Sequence, residues 1–173
     1  MRRRGLVAGP PTPLAAEVAR TLVEAGFELT PAEPSAEAAS VPFELLITIV
    51  PVEPCADPFG PEPWAGPLAT LRREAGAFLR QAPETGGAIV VVLDAGEPAP
   101  GASASPLSRT RAALALTVRD LAPALAPRVR INAVTPAKAS ADPVEIARAA
   151  LYLVDACAVT GQMIELASAQ LSS

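Results

Sequence analysis

The run Ala88–Leu93, AIVVVL, constrains the fold of this chain more than any other stretch. A continuous, β-branched apolar run with no polar alternation suits a strand covered on both faces, and sheets covered on both faces are built from parallel strands between layers of helices. The flanking segments supply those layers. Leu68, Leu71, Ala75, Phe78 and Leu79 recur on one side of a helix predicted over 68–81. After the run, Leu107–Pro136 reads as a long helix, a short basic turn and a buried strand over Val129–Val134. Leu114, Leu116, Val118, Leu121 and Leu125 supply its bulky positions. Ala112, Ala113 and Ala115 between them would let another helix approach closely, so this helix is expected to be covered on more than one side.

The rest of the chain repeats the alternation. Gly5–Gly9 is a short apolar strand ending in glycine. Thr12 is an N-cap and Pro13 suits a first helical turn; Leu14, Val18 and Leu22 share one face, and Gly26 is placed to end that helix. Phe27–Thr30 is a second strand and Phe43–Val50 a third, with a loop expected over 31–42 and an irregular proline-rich excursion over 51–67. Pro123 should kink or end the long helix. Asp142-Pro143-Val144-Glu145 has the pattern of a capping box opening a helix that runs to about Ala156, and Gln162–Ala167 is a last strand. The chain is therefore expected to be α/β, a doubly wound parallel sheet in a single domain spanning residues 1–173.

Composition closes several routes. With no histidine, Ser-His-Asp triads and Cys-His pairs are excluded, and Cys55 and Cys157 alone define neither a disulfide framework nor a metal site. The formal net charge of −4, with no basic cluster beyond Arg2, Arg3 and Arg4, argues against a nucleic-acid partner. No apolar run approaches membrane-spanning length. Glu17, Arg20 and Glu24 follow the first apolar stretch with helical spacing, so that stretch reads as structure rather than as a leader. The expectation is a cytoplasmic protein.

The stretches LAPRVRINAVTP and AVTGQMIELAS carry a resemblance to the short-chain dehydrogenase/reductase (SDR) family, which reads LAPRIRVNAVAPG and VTGQvlvVDGG there. The resemblance implies a Rossmann-like fold, truncated here, with the third α-β unit missing or collapsed. It also shows what has changed. The family's T-G-x-x-x-G-x-G turn reads Ala8-Gly9-Pro10-Pro11-Thr12-Pro13-Leu14-Ala15, keeping Gly9 alone, with Pro13 and Ala15 at later glycine positions. The prolines have no N–H to offer a pyrophosphate. The catalytic Asn, Ser, Tyr and Lys positions hold Arg73, Asp94, Leu107 and Arg111. Leucine cannot exchange a proton with a substrate hydroxyl. Arg111 is permanently charged and could pair with Asp94 across the site. Glu33 is the nearest candidate for the cofactor-selecting position. Asp94 and Glu97, on a loop at a strand's carboxyl end, are the residues that could have taken over acid/base work; Ser103, Ser105 and Ser108 have no histidine partner.

Family members pair through the Tyr/Lys helix and the helix before it, and again through the last strand and the helix before that. The resemblance thus implies a partner interface at Leu68, Leu71, Phe78, Leu107, Leu114, Val118, Leu121, Tyr152, Met163 and Leu166. Heteromeric members combine an active subunit with a degenerate one and act on 3-hydroxyacyl thioesters. By that analogy this chain is expected to hold no cofactor or metal and to join an active SDR paralogue as a hetero-oligomer, a heterotetramer by preference, with NAD(P) in the partner.

Overall fold

A computed structural model describes residues 3–31, 42–52, 64–96, 105–138 and 141–167. The strands are β1 (Arg3–Ala8), β2 (Phe27–Pro31), β3 (Leu45–Pro51), β4 (Gly87–Asp94), β5 (Val129–Pro136) and β6 (Met163–Leu166). The helices are α1 (Pro13–Glu24), α2 (Ala65–Gln81), α3 (Ser105–Leu125) and α4 (Pro143–Asp155). The strands form one sheet in the order β2-β1-β3-β4-β5-β6, every pairing parallel. From β2 the chain returns across β1 to β3, so the winding direction reverses between β1 and β3. A ligand crevice in an open α/β sheet is expected at that switch, beyond the strands' carboxyl ends.

β4 behaves as its composition dictates. Ile89, Val91 and Leu93 enter a core beneath α2 and α3, while Ala88, Val90 and Val92 enter a second core beneath α1 and α4. Most helical stability comes from burying such faces rather than from intrinsic propensity. The caps read from sequence are in place. Thr12 Oγ1 accepts from Ala15 N–H at 3.1 Å, and Asp142 Oδ1 accepts from Val144 N–H at 2.9 Å. Glu145, however, accepts from Arg148 at 2.8 Å and shows no reciprocal capping bond, so only the Asp142 half of the capping box forms. Gly26, with φ +92°, ends α1 in the left-handed region that suits glycine.

Two boundaries differ from expectation. α2 begins at Ala65, inside the proline-rich stretch read as irregular. Pro67 lies in its first turn, where a helix has no use for the missing N–H. α3 passes Pro123 and ends at Leu125, so the proline sits in the last turn and stops the helix two residues later.

α3 is covered on one side. Leu114 and Val118 are fully buried against the sheet, whereas Leu116 is 63% exposed. This corrects the assignment of partner-interface residues. Leu68, Leu71, Phe78, Leu114 and Val118 are buried in this chain's own core and cannot face a partner. Leu107, Leu121 and Met163 pack against the same core, and Leu166 against the other. Of the ten positions only Tyr152 is exposed, at 62%, and it is not the packing residue its neighbours Leu151 and Leu153 suggest. The physical reason is the helical period: most of the bulky apolar positions form the stripe the sheet needs, and Leu116 and Tyr152 are the ones that fall outside it. Among the described residues, no helix is long and apolar enough to cross a membrane.

Candidate functional site

At the carboxyl ends of β1, β4 and β5 lies a cleft of ≈ 280 Å³ lined by Thr12, Pro13, Leu14, Asp94, Ala95, Gly96, Pro136, Ala141, Pro143 and Ile146. The amino-terminal turns of α1 and α4 both border it. Its volume falls just below the roughly 300–1,000 Å³ of small-molecule sites. Helix starts ordinarily provide unpaired amides for an anion. Here Pro13 and Pro143 have none, Thr12 Oγ1 occupies Ala15 N–H, the Thr12 carbonyl occupies Ala16 N–H at 3.0 Å, and Asp142 occupies Val144 N–H. Among the described residues, no cationic side chain lines it. Asp94 is the one charged lining group among the described residues; its Oδ1 accepts from Gly96 N–H at 3.0 Å, which holds the loop after β4 in a turn.

Gly9 is the retained glycine of the first turn, and the structure supplies a reason for it that involves no ligand. Its φ is +118°, and a Cβ there would stand 2.5 Å from the Ile49 carbonyl oxygen. Glycine is needed for β1 and β3 to approach. The residues present thus do not fit a dinucleotide's pyrophosphate: the first turn is short of donors, the cleft bears a carboxylate and, among the described residues, no cation, and the glycine serves backbone packing.

Two of the four positions at which the family carries catalytic groups have found other employment. Arg111 does not meet Asp94. Its Nη1 donates to Glu165 Oε1 at 2.6 Å, tying α3 to the edge strand β6. The expected Arg111–Asp94 pair is corrected accordingly: the β5–β6 register places Glu165 opposite Thr135, on the sheet face that α3 covers. Leu107 is half-buried against the α2/α3 core. Arg73 is exposed on α2. Its neighbour Glu74, which sequence reasoning missed, accepts from Thr48 Oγ1 at 3.1 Å. Burial pushes the Glu74 carboxyl above its ordinary range, against the opposing pull of the Thr48 hydrogen bond and the Arg73 charge. Glu33, Cys55, Glu97 and Ser103 lie outside the described residues; Ser108 is exposed. Among the described residues no group of three or more Cys, Asp and Glu could hold a metal ion.

The recognisable β5 motif is a hydrogen-bonding device. Arg128 donates to Ala82 O at 2.7 Å, closing the end of α2. Arg130 donates to the carbonyls of Leu153 (3.2 Å), Val154 (2.9 Å), Ala156 (2.9 Å) and Val159 (3.3 Å), capping the carboxyl end of α4 where unpaired carbonyls and the helix dipole favour a cation. Buried Asn132 donates to Val159 O at 2.8 Å and accepts from Gln162 N–H at 3.1 Å, which sets the turn into β6.

A parallel, doubly wound sheet with a cleft beyond the carboxyl ends of its strands defines the Rossmann-like α/β class. Within it, the chain matches the model of a family described as short chain dehydrogenase-like proteins over residues 68–166, and it belongs to that family. Among solved structures it is similar to a small-chain dehydrogenase, at 20% identity over 100% of both chains with a TM-score of 0.69. It is also similar to the NADH-dependent enoyl-[acyl-carrier-protein] reductase of Aquifex aeolicus VF5, at 16% identity over 97% of this chain and 96% of that one with a TM-score of 0.76. A third similar structure is a Brucella ovis short-chain oxidoreductase in complex with a partially ordered NAD, at 16% identity over 96% of this chain and 100% of that one with a TM-score of 0.67. No curated protein matches in sequence.

Proposed function

We propose that this chain is a non-catalytic member of the SDR family that pairs with and stabilises an active NAD(P)-dependent paralogue in the cytoplasm. The observation that carries the reading is the first turn, where Pro13 and the Thr12 cap remove the amides a pyrophosphate would use and Gly9 is accounted for by Ile49. Arg111, engaged with Glu165, and Leu107, packed on the core, add to it, because neither is placed to move a proton. The partner would carry the cofactor, the tyrosine and the lysine, in a heterotetramer by analogy with heteromeric members of the family. A 3-hydroxyacyl or 3-oxoacyl thioester is the substrate class favoured for the complex; a solved structure of similar fold is a reductase of acyl-carrier-protein thioesters.

The test is co-expression with an SDR bearing intact TGxxxGxG and Tyr-x-x-x-Lys motifs, encoded beside this chain. The expected result is co-elution on size exclusion, with NAD(P)H binding and turnover that are lost when the partner's tyrosine is replaced and unchanged by Asp94→Ala here. Turnover by the isolated chain, abolished by Asp94→Ala, would refute the reading.

A second reading rests on the cleft itself: its largely apolar walls and the Asp94 carboxylate suit a small uncharged or amine-bearing ligand better than an anion. Saturable binding by the isolated chain, weakened by Asp94→Asn, would favour it.

A further inference from the structure

The cleft at the carboxyl ends of the strands carries charge of both signs. The starts of α1 and α4 border it, and a helix start bears roughly half a positive charge from its aligned peptides. Asp94, at the end of β4, supplies a carboxylate. The contributions nearly cancel, so the cleft as a whole favours neither a net anion nor a net cation. The hydrogen-bonding groups divide in the same way. The N–H of Leu14, in the first turn of α1, has no partner among the described residues, although Leu14 is only 6% exposed. Amides of buried residues are rarely left without a partner, and this residue lines the cleft. Thr12 Oγ1 accepts from Ala15 N–H, which leaves its own O–H to donate. Asp94 uses Oδ1 to hold Gly96 N–H and, as a carboxylate, keeps further acceptor capacity. The buried side chains of Leu14, Pro136 and Ile146 make the lining between these groups apolar.

Building on the second reading above, in which the cleft takes a small ligand, we infer that this ligand is a free apolar amino acid in its zwitterionic form. Its ammonium goes to Asp94. Its carboxylate accepts from Leu14 N–H and the Thr12 hydroxyl at the start of α1, and its side chain lies against Leu14, Pro136 and Ile146. An amine without the carboxylate would meet two helix starts uncompensated, and a carboxylic acid without the ammonium would meet Asp94. A charged donor on a carboxylate makes the stronger class of hydrogen bond, so Asp94 carries much of the affinity. The helix starts set the selectivity. Pro13 and Pro143 lack an N–H and Asp142 holds Val144 N–H, so one carboxylate finds enough donors where a pyrophosphate does not. A volume of ≈ 280 Å³, below that of drug-sized sites, suits a molecule of amino-acid size. The site lies wholly within this chain and needs no partner subunit.

Amide NMR of the full chain titrated with leucine tests it. The Leu14 and Gly96 amide resonances should shift saturably, with half-saturation below about 1 mM, the upper end of ordinary metabolite affinities. Isocaproate, which is leucine without the ammonium, and isopentylamine, which is leucine without the carboxylate, should each bind at least about tenfold more weakly. Asp94→Asn keeps an acceptor for Gly96 N–H and should weaken leucine by a similar factor. Ala141→Phe, filling the cleft from a half-buried lining position, should abolish binding. The analogue series needs no variant, so the test stands if either substitution misfolds. Equal affinity for leucine and either analogue, leucine affinity unchanged by Asp94→Asn, or shifts confined to residues outside the cleft would each overturn the proposal. Isopentyl alcohol bound more tightly than leucine, and lost in Ala141→Phe, would sink the amino-acid assignment while leaving the cleft reading intact. No binding by any of the four compounds would sink both.

Discussion

Replacing Arg130 by alanine removes one guanidinium and four hydrogen bonds, to Leu153, Val154, Ala156 and Val159. A hydrogen bond from a charged donor contributes about 1.5–3 kcal/mol, but four bonds sharing one side chain do not add. The helix-end charge contributes up to about 2 kcal/mol in a partly buried setting. Water reaches some of the orphaned carbonyls once the side chain is gone. The net loss should be about 2–4 kcal/mol, a fall in Tm of roughly 5–15 °C for a chain of this size. Urea denaturation followed by circular dichroism measures it. Arg130→Lys is the sharper comparison, since one ammonium cannot span carbonyls that a planar fork reaches with two nitrogens, so lysine should recover less than half the loss. Arg130→Ala within about 0.5 kcal/mol of wild type, the scatter of neutral surface changes, would refute the argument, as would full rescue by lysine.

Three further outcomes follow from the same geometry. Gly9→Ala places a Cβ 2.5 Å from Ile49 O at a φ of +118°, so it should cost more than about 2 kcal/mol, read as a lower urea midpoint; an unchanged midpoint would show that β1 and β3 can separate freely. For Glu74, burial raises the folded-state pKa above the ordinary value of 4.5, so the folded chain binds the proton more tightly than the unfolded chain and loses stability as pH rises through that window. Glu74→Gln keeps an acceptor for Thr48 and should raise Tm at pH 7.5 but not at pH 4, by less than about 1 kcal/mol because the group is partly screened by solvent; an equal change at both pH values would exclude burial as the cause. A double-mutant cycle on Arg111→Met and Glu165→Gln should give a coupling of about 0.5–1 kcal/mol that shrinks with salt, and no coupling would mean that the pair does not anchor β6.

The sequence by itself determined the architecture. AIVVVL could be satisfied only between two helical layers, and Thr12-Pro13 and Asp142-Pro143 marked two helix starts because capping is a matter of neighbouring residues. It also located the altered positions 73, 94, 107 and 111, since spacing along a chain survives changes of side chain. Tertiary structure decided what those positions do. Arg111 turned to Glu165 rather than Asp94 because strand register, which no local pattern encodes, set Glu165 opposite Thr135 beneath α3. The expected partner face inverted for a related reason: Leu114 and Val118 are apolar whether they meet a sheet or another subunit, and only the sheet's position assigned them to the core. Arg128, Arg130 and Asn132 could be read from sequence as a familiar motif, but their partners lie 23 to 46 residues away along the chain. Hydrogen bonds across that distance exist only once the strand is seated beside the helix ends it caps.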